Sequence, residues 1–440
     1  KKITTFKVRI AIIFEEDYLG AYPSFVEAIR ILSENGFQVD ILGTLRKSNF
    51  PKPPKFAENV RMFLSPIENE ICRDYQLAEN CSKDAIIERR SSVFKKLIPK
   101  NLKTIARSIV NNAKENIKNF SFQRKVLLDQ LKYTFFVLNL VRKNKYDVII
   151  GIDLGGGCAS YLSSRLFNIR KYIYWGLEIT EPEQGLLVQK LIKFFETKAC
   201  QTADAILTTD ESRAEDVCKA NKVDFQNAKY FCVPHSPRGF CNKTESHFFQ
   251  NLYSLKDENH VMLHSGWIHD VMCSSELAKE SRNWPKDWRL VFHERMKRSI
   301  DEPYIQKVLK SGDEKTLLSL NPVDYNDIDD VVNSAKIGIV IYDYYEKYGT
   351  SWISLAKGSG KIAHYLRCGK PVICRNLPGF KEIIEKYQCG VMFDDLDEIE
   401  VGINLILDNY DFYRKNAYEC YKEEYEFSKY FRTVIDFIKK

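Results

Sequence analysis

The sequence predicts an α/β protein of two doubly wound, parallel-sheet domains facing a central cleft. Three observations carry this prediction. Short apolar runs alternate with helical runs along the chain, the alternation starts again near residue 260, and a Pro- and Gly-containing connector, YFCVPHSPRGF around residue 235, separates the two series. Parallel strands are buried on both faces and joined by helical crossovers, so they read as short continuous apolar stretches. At 440 residues the chain is also too long for one typical core.

In the first half, VRIAIIF (Val8–Phe14) is a strand ending in the acidic loop EEDYLGAYPS. FVEAIRILSENG (Phe25–Gly36) has helical apolar spacing and a glycine stop. FQVDILG and NVRMFLSP are further strands. A long basic segment follows, then YDVIIGIDLGGGCASYLSSRLFN, read as strand, glycine loop and helix, and then the strands RKYIYWGLEI and ADAILTTD. The second half repeats the theme. HVMLHSGWIHD is strand and loop, WRLVFHERMKR strand and basic loop, KTLLSLNPVDYNDIDDVVNSA strand, turn and helix, and IGIVIYD a strand. KIAHYLRCG is a helix, KPVICRN a strand, and GFKEIIEKYQCGVMF completes the series. The expected division is 1–240, 241–425 and a C-terminal helix at 426–440 that crosses back to the first domain. Ligands of such sheets bind at the carboxyl ends of strands, which places one cleft between the domains.

Bulk properties exclude several classes. Hydrophobic residues make up 44% and charged residues 28%, as in a globular enzyme. No apolar run is long enough to span a bilayer, and the first residues read directly into a strand rather than as a secretory signal. The 12 cysteines are scattered without a C-x-x-C pair, and the 7 histidines form no H-E-x-x-H pattern. That reads as reduced thiols and a cytoplasmic setting, with no metal centre. The net charge of +7 is concentrated at residues 86–126, where 11 basic residues face only Glu88 and Glu115. The rest of the chain is near neutral, so nucleic acid is not an expected partner. A basic helical insertion at about 85–126 could lie on an anionic membrane face, or be a solvated surface helix of its own domain.

One stretch raises a chemical question. GSGK (Gly358–Lys361) looks like part of a nucleotide-hydrolase P-loop, G-x-x-x-x-G-K-[ST]. Leu355 stands where the first glycine belongs, and Ile362 replaces the magnesium-binding hydroxyl. What survives is a glycine-rich turn opening a helix beside a lysine. That geometry suits an anion, although an ordinary helix start with a solvated lysine has the same local sequence.

Read together, HVMLHSGWIHD, LNPVDYNDIDDVVNSAKIGIVIY and KIAHYLRCGKPVICRNLPGFKEIIEKYQCGVMF resemble, in order and spacing, the C-terminal domain of GT-B glycosyltransferases. The nearest likeness is to the retaining group that builds bacterial polysaccharides and glycolipids. ADAILTTDESRAEDV resembles the strand preceding that family's interdomain connector. The resemblance implies two Rossmann-like domains and transfer of a sugar from a nucleotide-sugar donor, UDP- or GDP-linked, to a saccharide or lipid-linked acceptor. Retention is favoured, and neither a cofactor nor a metal is implied. The donor diphosphate is then expected near Gly266 and Trp267 and at Ser359, Gly360 and Lys361. Arg295, Lys297 and Arg298 are candidate further cations, Asn321 to Val323 approach the nucleobase, and Gly20 and Glu382 complete the donor set. The family usually carries two glutamates that here align with Ala356 and His364. A histidine can still hydrogen-bond a ribose hydroxyl, or it can be a core residue.

Acceptor contacts are expected from loops of the first domain, at Tyr18, Gly156 and Glu178. Glu16, Asp17 and Asp153 are the candidate catalytic carboxylates, since an inverting enzyme needs a general base there. Two other functions stay open at the level of sequence. One is a nucleotide-sugar epimerase on the same fold; the other is a catalytically silent partner subunit.

Overall fold

The computed structural model describes residues 8–15, 19–44, 49–65, 124–179, 187–242, 245–342 and 355–440. Glu16, Asp17 and Tyr18 lie outside these residues, as does the basic insertion apart from 124–126.

The first sheet has seven strands: β1 (Arg9–Ile13), β2 (Gln38–Thr44), β3 (Val60–Ser65), β4 (Val148–Ile152), β5 (Lys171–Trp175), β6 (Ala205–Thr208) and β7 (Tyr230–Cys232). They lie in the order 3-2-1-4-5-6-7, and every pair is parallel. The second sheet has six: β8 (His260–Ser265), β9 (Trp288–His293), β10 (Thr316–Ser319), β11 (Ile337–Val340), β12 (Val372–Arg375) and β13 (Gly390–Phe393). Their order is 10-9-8-11-12-13, again all parallel. Each order reverses direction once, between β1 and β4 and between β8 and β11, and a crevice opens at such a point.

The sequence reading differs from the structure in two places. YFCVPHSPRGF begins with β7, a half-buried edge strand of only 3 residues, too short to show a period. The residues after β4 are not a glycine loop. The helix Asp153–Leu166 starts directly at Asp153, and Gly156 sits in its first turns. A Cβ on Gly156 would lie 2.3 Å from the carbonyl oxygen of Ile13, so the glycine lets this helix press against β1. Gly156 is buried there and offers no face to an acceptor.

Both sheets carry apolar cores on each face. The last helix, Phe427–Lys439, presents Phe427, Phe431, Val434, Ile435 and Ile438 at helical spacing. These residues belong to the core of the first sheet, with Ile12, Val148 and Ile173. This helix therefore packs back into the first domain.

The halves are also tied by polar contacts. Glu27, on the helix Pro23–Glu34, accepts a hydrogen bond from Tyr325 (2.9 Å) and pairs with Arg30 (2.8 Å) and Arg238 (2.7 Å). Arg30 also donates to Asn326 at 2.9 Å. Glu27 is 2% exposed, and the two guanidinium groups and the hydroxyl at its carboxylate offset the cost of burying it.

Candidate functional site

The site is built at the crevice of the second sheet, where β8, β9 and β11 end. After β8 the chain turns at Gly266 with φ of +123°, a conformation side chains rarely adopt. Its N–H donates to the carbonyl of His293 at the end of β9 (2.9 Å). A Cβ at this position would lie 3.5 Å from Cε and 3.6 Å from Nζ of Lys361. The lysine stem thus lies directly over the bare turn.

Lys361 is in the first turn of the helix Gly360–Arg367, whose N-cap is Ser359. A serine there normally accepts from a first-turn N–H. Here its side chain makes no cap, and its hydroxyl instead meets the Tyr342 hydroxyl at 2.8 Å. The first-turn N–H groups are left for another acceptor. The Lys361 ammonium sits 4.7 Å above the Tyr342 ring and makes no ion pair with the described residues. Burial, with a smaller contribution from the nearby Arg295 guanidinium, lowers its pKa to about 7.

Arg295 follows β9 and is exposed, its guanidinium 5.7 Å from the rings of both Trp267 and Phe50. Trp267 in turn stacks on His269 at 4.1 Å. Two cations with no ion pair among the described residues, a helix N-terminus without a side-chain cap and an aromatic shelf therefore meet over one glycine turn. This arrangement suits a dense anion attached to a planar or sugar-like group.

The turn is held by groups that sequence reasoning missed. The Tyr365 hydroxyl donates to the carbonyl of Leu263 (2.7 Å) and accepts from the N–H of Ser265 (2.8 Å). Its ring lies on Gly338 of β11, where a Cβ would come within 2.3 Å of it. The buried Glu294 accepts from the N–H groups of Ile268 (3.0 Å) and Arg295 (2.9 Å), and pairs with Arg298 (3.3 Å). Burial raises the Glu294 pKa above the usual carboxylate range. Arg298 is thereby committed to Glu294 and to Glu302, and is not a free cation for a ligand. None of these roles has a sequence signature, because each depends on partners from other strands.

His235 belongs to the segment that reads as a connector, and the structure buries it between the two domains. Its Nδ1 meets the hydroxyl of the buried Ser24 at 2.7 Å, and its backbone N–H donates to the carbonyl of Lys357 at 2.8 Å. A Cβ on Gly360 would lie 3.0 Å from its ring. His235 thus wedges between the starts of the helices Pro23–Glu34 and Gly360–Arg367. Burial, with His364 and Arg295 nearby, lowers its pKa to about 3, so it is neutral at physiological pH.

The other predicted residues are dispersed. His364, one turn after Gly360, is half-buried, and its Nδ1 has no partner among the described residues. Burial lowers its pKa to about 4. Lys297 is exposed and donates its backbone N–H to Asn49 of the first domain (2.7 Å). Asn321 is exposed after β10, while Val323 packs on the core. Glu382 is on the exposed face of the helix Pro378–Tyr387. Gly20 is covered by the carbonyls of Pro51 and Lys52, each 2.6 Å from where a Cβ would stand.

Asp153 does not act as a free carboxylate. Its Oδ1 accepts from the N–H groups of Leu177 (2.7 Å) and Glu178 (3.1 Å) and so holds the loop after β5. Burial and the neighbouring Glu178 raise its pKa to about 8. Glu178 itself is exposed.

No model of a known protein family matches this sequence, and no curated protein matches it either. Solved structures match the fold over nearly the full length. Sucrose-phosphate synthase from Thermosynechococcus elongatus aligns with a TM-score of 0.63 at 14% identity, covering 98% of each chain. A glycosyltransferase from Rickettsia africae aligns at 0.62 and 11% identity, covering 99% of this chain and 98% of its own. HepE from Anabaena, in complex with UDP, aligns at 0.61 and 11% identity, covering 98% and 100%. The chain has the GT-B fold, two Rossmann-like α/β domains with parallel sheets.

Proposed function

We propose that this protein is a glycosyltransferase that takes a sugar from a nucleoside diphosphate donor and passes it to a saccharide or lipid-linked acceptor. The observation that carries this reading is the cationic notch over Gly266, formed by Lys361, Arg295 and the uncapped first turn at Ser359–Gly360. The fold adds support, since HepE has been solved with UDP and with UDP-glucose. A departing diphosphate develops negative charge, and fixed donors aimed at it lower the barrier. Two cations and a helix N-terminus supply that neutralisation, so the reaction we propose needs no divalent metal. In the retaining form the bond from the sugar C1 to the diphosphate oxygen breaks. The acceptor oxygen bonds to C1 on the same face, and its proton passes to the leaving oxygen. No carboxylate base is required, consistent with Asp153 being engaged by backbone N–H groups.

The first test is a thermal-shift screen against UDP, GDP, ADP and CMP and their sugar conjugates, followed by product analysis with and without added acceptor. A ligand bound only by the folded state raises the midpoint by mass action. One nucleoside diphosphate raising it, with transfer in the presence of EDTA, is the expected result. Turnover of donor into a free epimerised sugar without acceptor would instead make the protein an epimerase. Silence toward every nucleotide at millimolar concentration would make it a non-catalytic partner.

Lys361 predicts the pH dependence of binding. Near pH 7 it is about half protonated in the free protein, and a bound diphosphate raises its pKa. Above pH 7 binding must therefore recruit a proton. The affinity for nucleoside diphosphate is expected to fall about fifteenfold from pH 7 to 8.5. The ligand's terminal phosphate, with a second pKa of about 6, is already about nine-tenths ionised at pH 7, and its remaining ionisation changes affinity far less than the lysine does. Lys361→Arg should flatten the profile in calorimetric titrations; an equally steep profile in that variant would assign the effect elsewhere.

A further inference from the structure

Behind the nucleotide notch, at the far end of the same helix, three chain segments converge. Cys368 is the C-cap of the helix Gly360–Arg367, Cys241 lies in the linker that leaves the first domain, and Asp329 is in the first turn of the helix Ile328–Asn333. One thiol from each cysteine and one carboxylate oxygen of Asp329 lie within 4.8 Å of one another. Tetrahedral metal–sulfur bonds of about 2.3 Å and metal–oxygen bonds of about 2.1 Å place such donors about 3.6–3.8 Å apart. Small side-chain rotations close that gap.

We propose that Cys241, Cys368 and Asp329 bind a thiophilic divalent metal ion, Zn²⁺ being the best chemical match. Two sulfur donors and one carboxylate oxygen form a soft-to-borderline set, and three protein ligands leave a fourth position for water. The surroundings support the ligands. The side-chain N–H of Asn333 donates to Cys241 Sγ at 3.1 Å, a contact that strengthens when the sulfur becomes a thiolate. Arg367 pairs with Asp329 and orients its carboxylate. The charges then cancel: two thiolates and one carboxylate against one guanidinium and one dication. Cys241 is 9% exposed and Cys368 1%, so both sulfur donors are shielded from bulk solvent. Loading the site releases two protons, one from each thiol, so affinity should fall as the solution is acidified.

The site would fasten the interdomain linker to the helix that carries Lys361. The carbonyl of Gly239, two residues before Cys241, already accepts from Arg367 (2.7 Å) and Tyr421 (2.9 Å). A metal would lock that junction.

The test is a Co²⁺ titration of the metal-free full chain in a phosphine reductant, read by the thiolate-to-cobalt charge-transfer band. One equivalent is expected to saturate the band in the wild type and in the control Cys389→Ser. The double variant Cys241→Ser/Cys368→Ser should lose it, and Asp329→Asn should retain it with at least tenfold weaker binding. Zn²⁺ should raise the melting midpoint of the wild type and leave that of the double variant unmoved. A wild type without the band, or a double variant that keeps it, overturns the proposal. Should the double variant fail to fold, alkylation of the wild type decides. Zn²⁺ is expected to protect Cys241 and Cys368 selectively, and equal labelling of these two with and without metal refutes the site.

Discussion

Lys361→Ala is expected to weaken nucleoside diphosphate binding about 30- to 300-fold, the loss of roughly 2–3.5 kcal/mol of charge-assisted contact. The expectation follows from where the ammonium sits. It lies over the Gly266 turn with no carboxylate partner among the described residues, so a bound phosphate supplies it with a strong counterion. The same isolation makes it a burden to the free protein. Its folded pKa of about 7 is below the unfolded value of 10.5, so between these pH values the unfolded chain binds one more proton. Wild-type stability therefore rises with pH across that window as far as this group is concerned. Lys361→Met should accordingly stabilise the free protein at pH 7 and below, by about 1–2 kcal/mol once partial solvent access is allowed for. The benefit should shrink above neutrality. Calorimetric binding of UDP or GDP together with melts at pH 6.5 and 8.5 checks both halves. Undiminished affinity in the alanine variant would remove Lys361 from the site.

Tyr365→Ala should be the most damaging single change near the site, destabilising the second domain by about 4–5 kcal/mol. The ring is fully buried and packs on Gly338, and its hydroxyl satisfies both a carbonyl and an N–H of β8. Removing it leaves a cavity and two unpaired backbone groups. Tyr365→Phe separates the two effects. It restores the volume yet leaves Leu263 C=O and Ser265 N–H without their partner, at about 2 kcal/mol. Because Ser265 precedes Gly266, the phenylalanine variant should also bind nucleotide several-fold more weakly while remaining folded. Chemical denaturation with binding titrations measures both. A phenylalanine variant as stable as wild type would show that the tyrosine bridge is not needed to hold the turn.

These two residues also mark what was legible in the sequence. Lys361 was visible because glycine–lysine at a helix start is a local pattern with a local meaning. The strands were visible for the same reason, since each apolar run such as IGIVIYD is short, continuous and bounded. Tyr365, Glu294 and His235 were invisible. Each acts through a partner on another element: Leu263 and Ser265 for the tyrosine, Ile268 and Arg298 for the glutamate, Ser24 for the histidine. Asp153 illustrates the converse. It sits at the end of a strand, as a catalytic carboxylate would, yet the loop after β5 reaches back and engages it. Arg298 follows the same logic: a basic loop reads as free charge until Glu294 and Glu302 are placed beside it.

The helix Phe427–Lys439 has a consequence for how the protein is made. Its five apolar residues fill the core of the first sheet, and they are translated about two hundred residues after β7. At roughly 5–20 residues per second, a ribosome takes about 10–40 s to cover that distance. Throughout that interval the nascent first domain shows an apolar groove over Ile12, Val148 and Ile173, while the second domain is already emerging. Chaperone capture should therefore concentrate on that groove late in synthesis. A stop codon near residue 426 should yield a chain whose second sheet is complete and whose first aggregates. Emergence of this helix from the ribosome, rather than completion of either sheet, is then the step that commits the first domain to its native state.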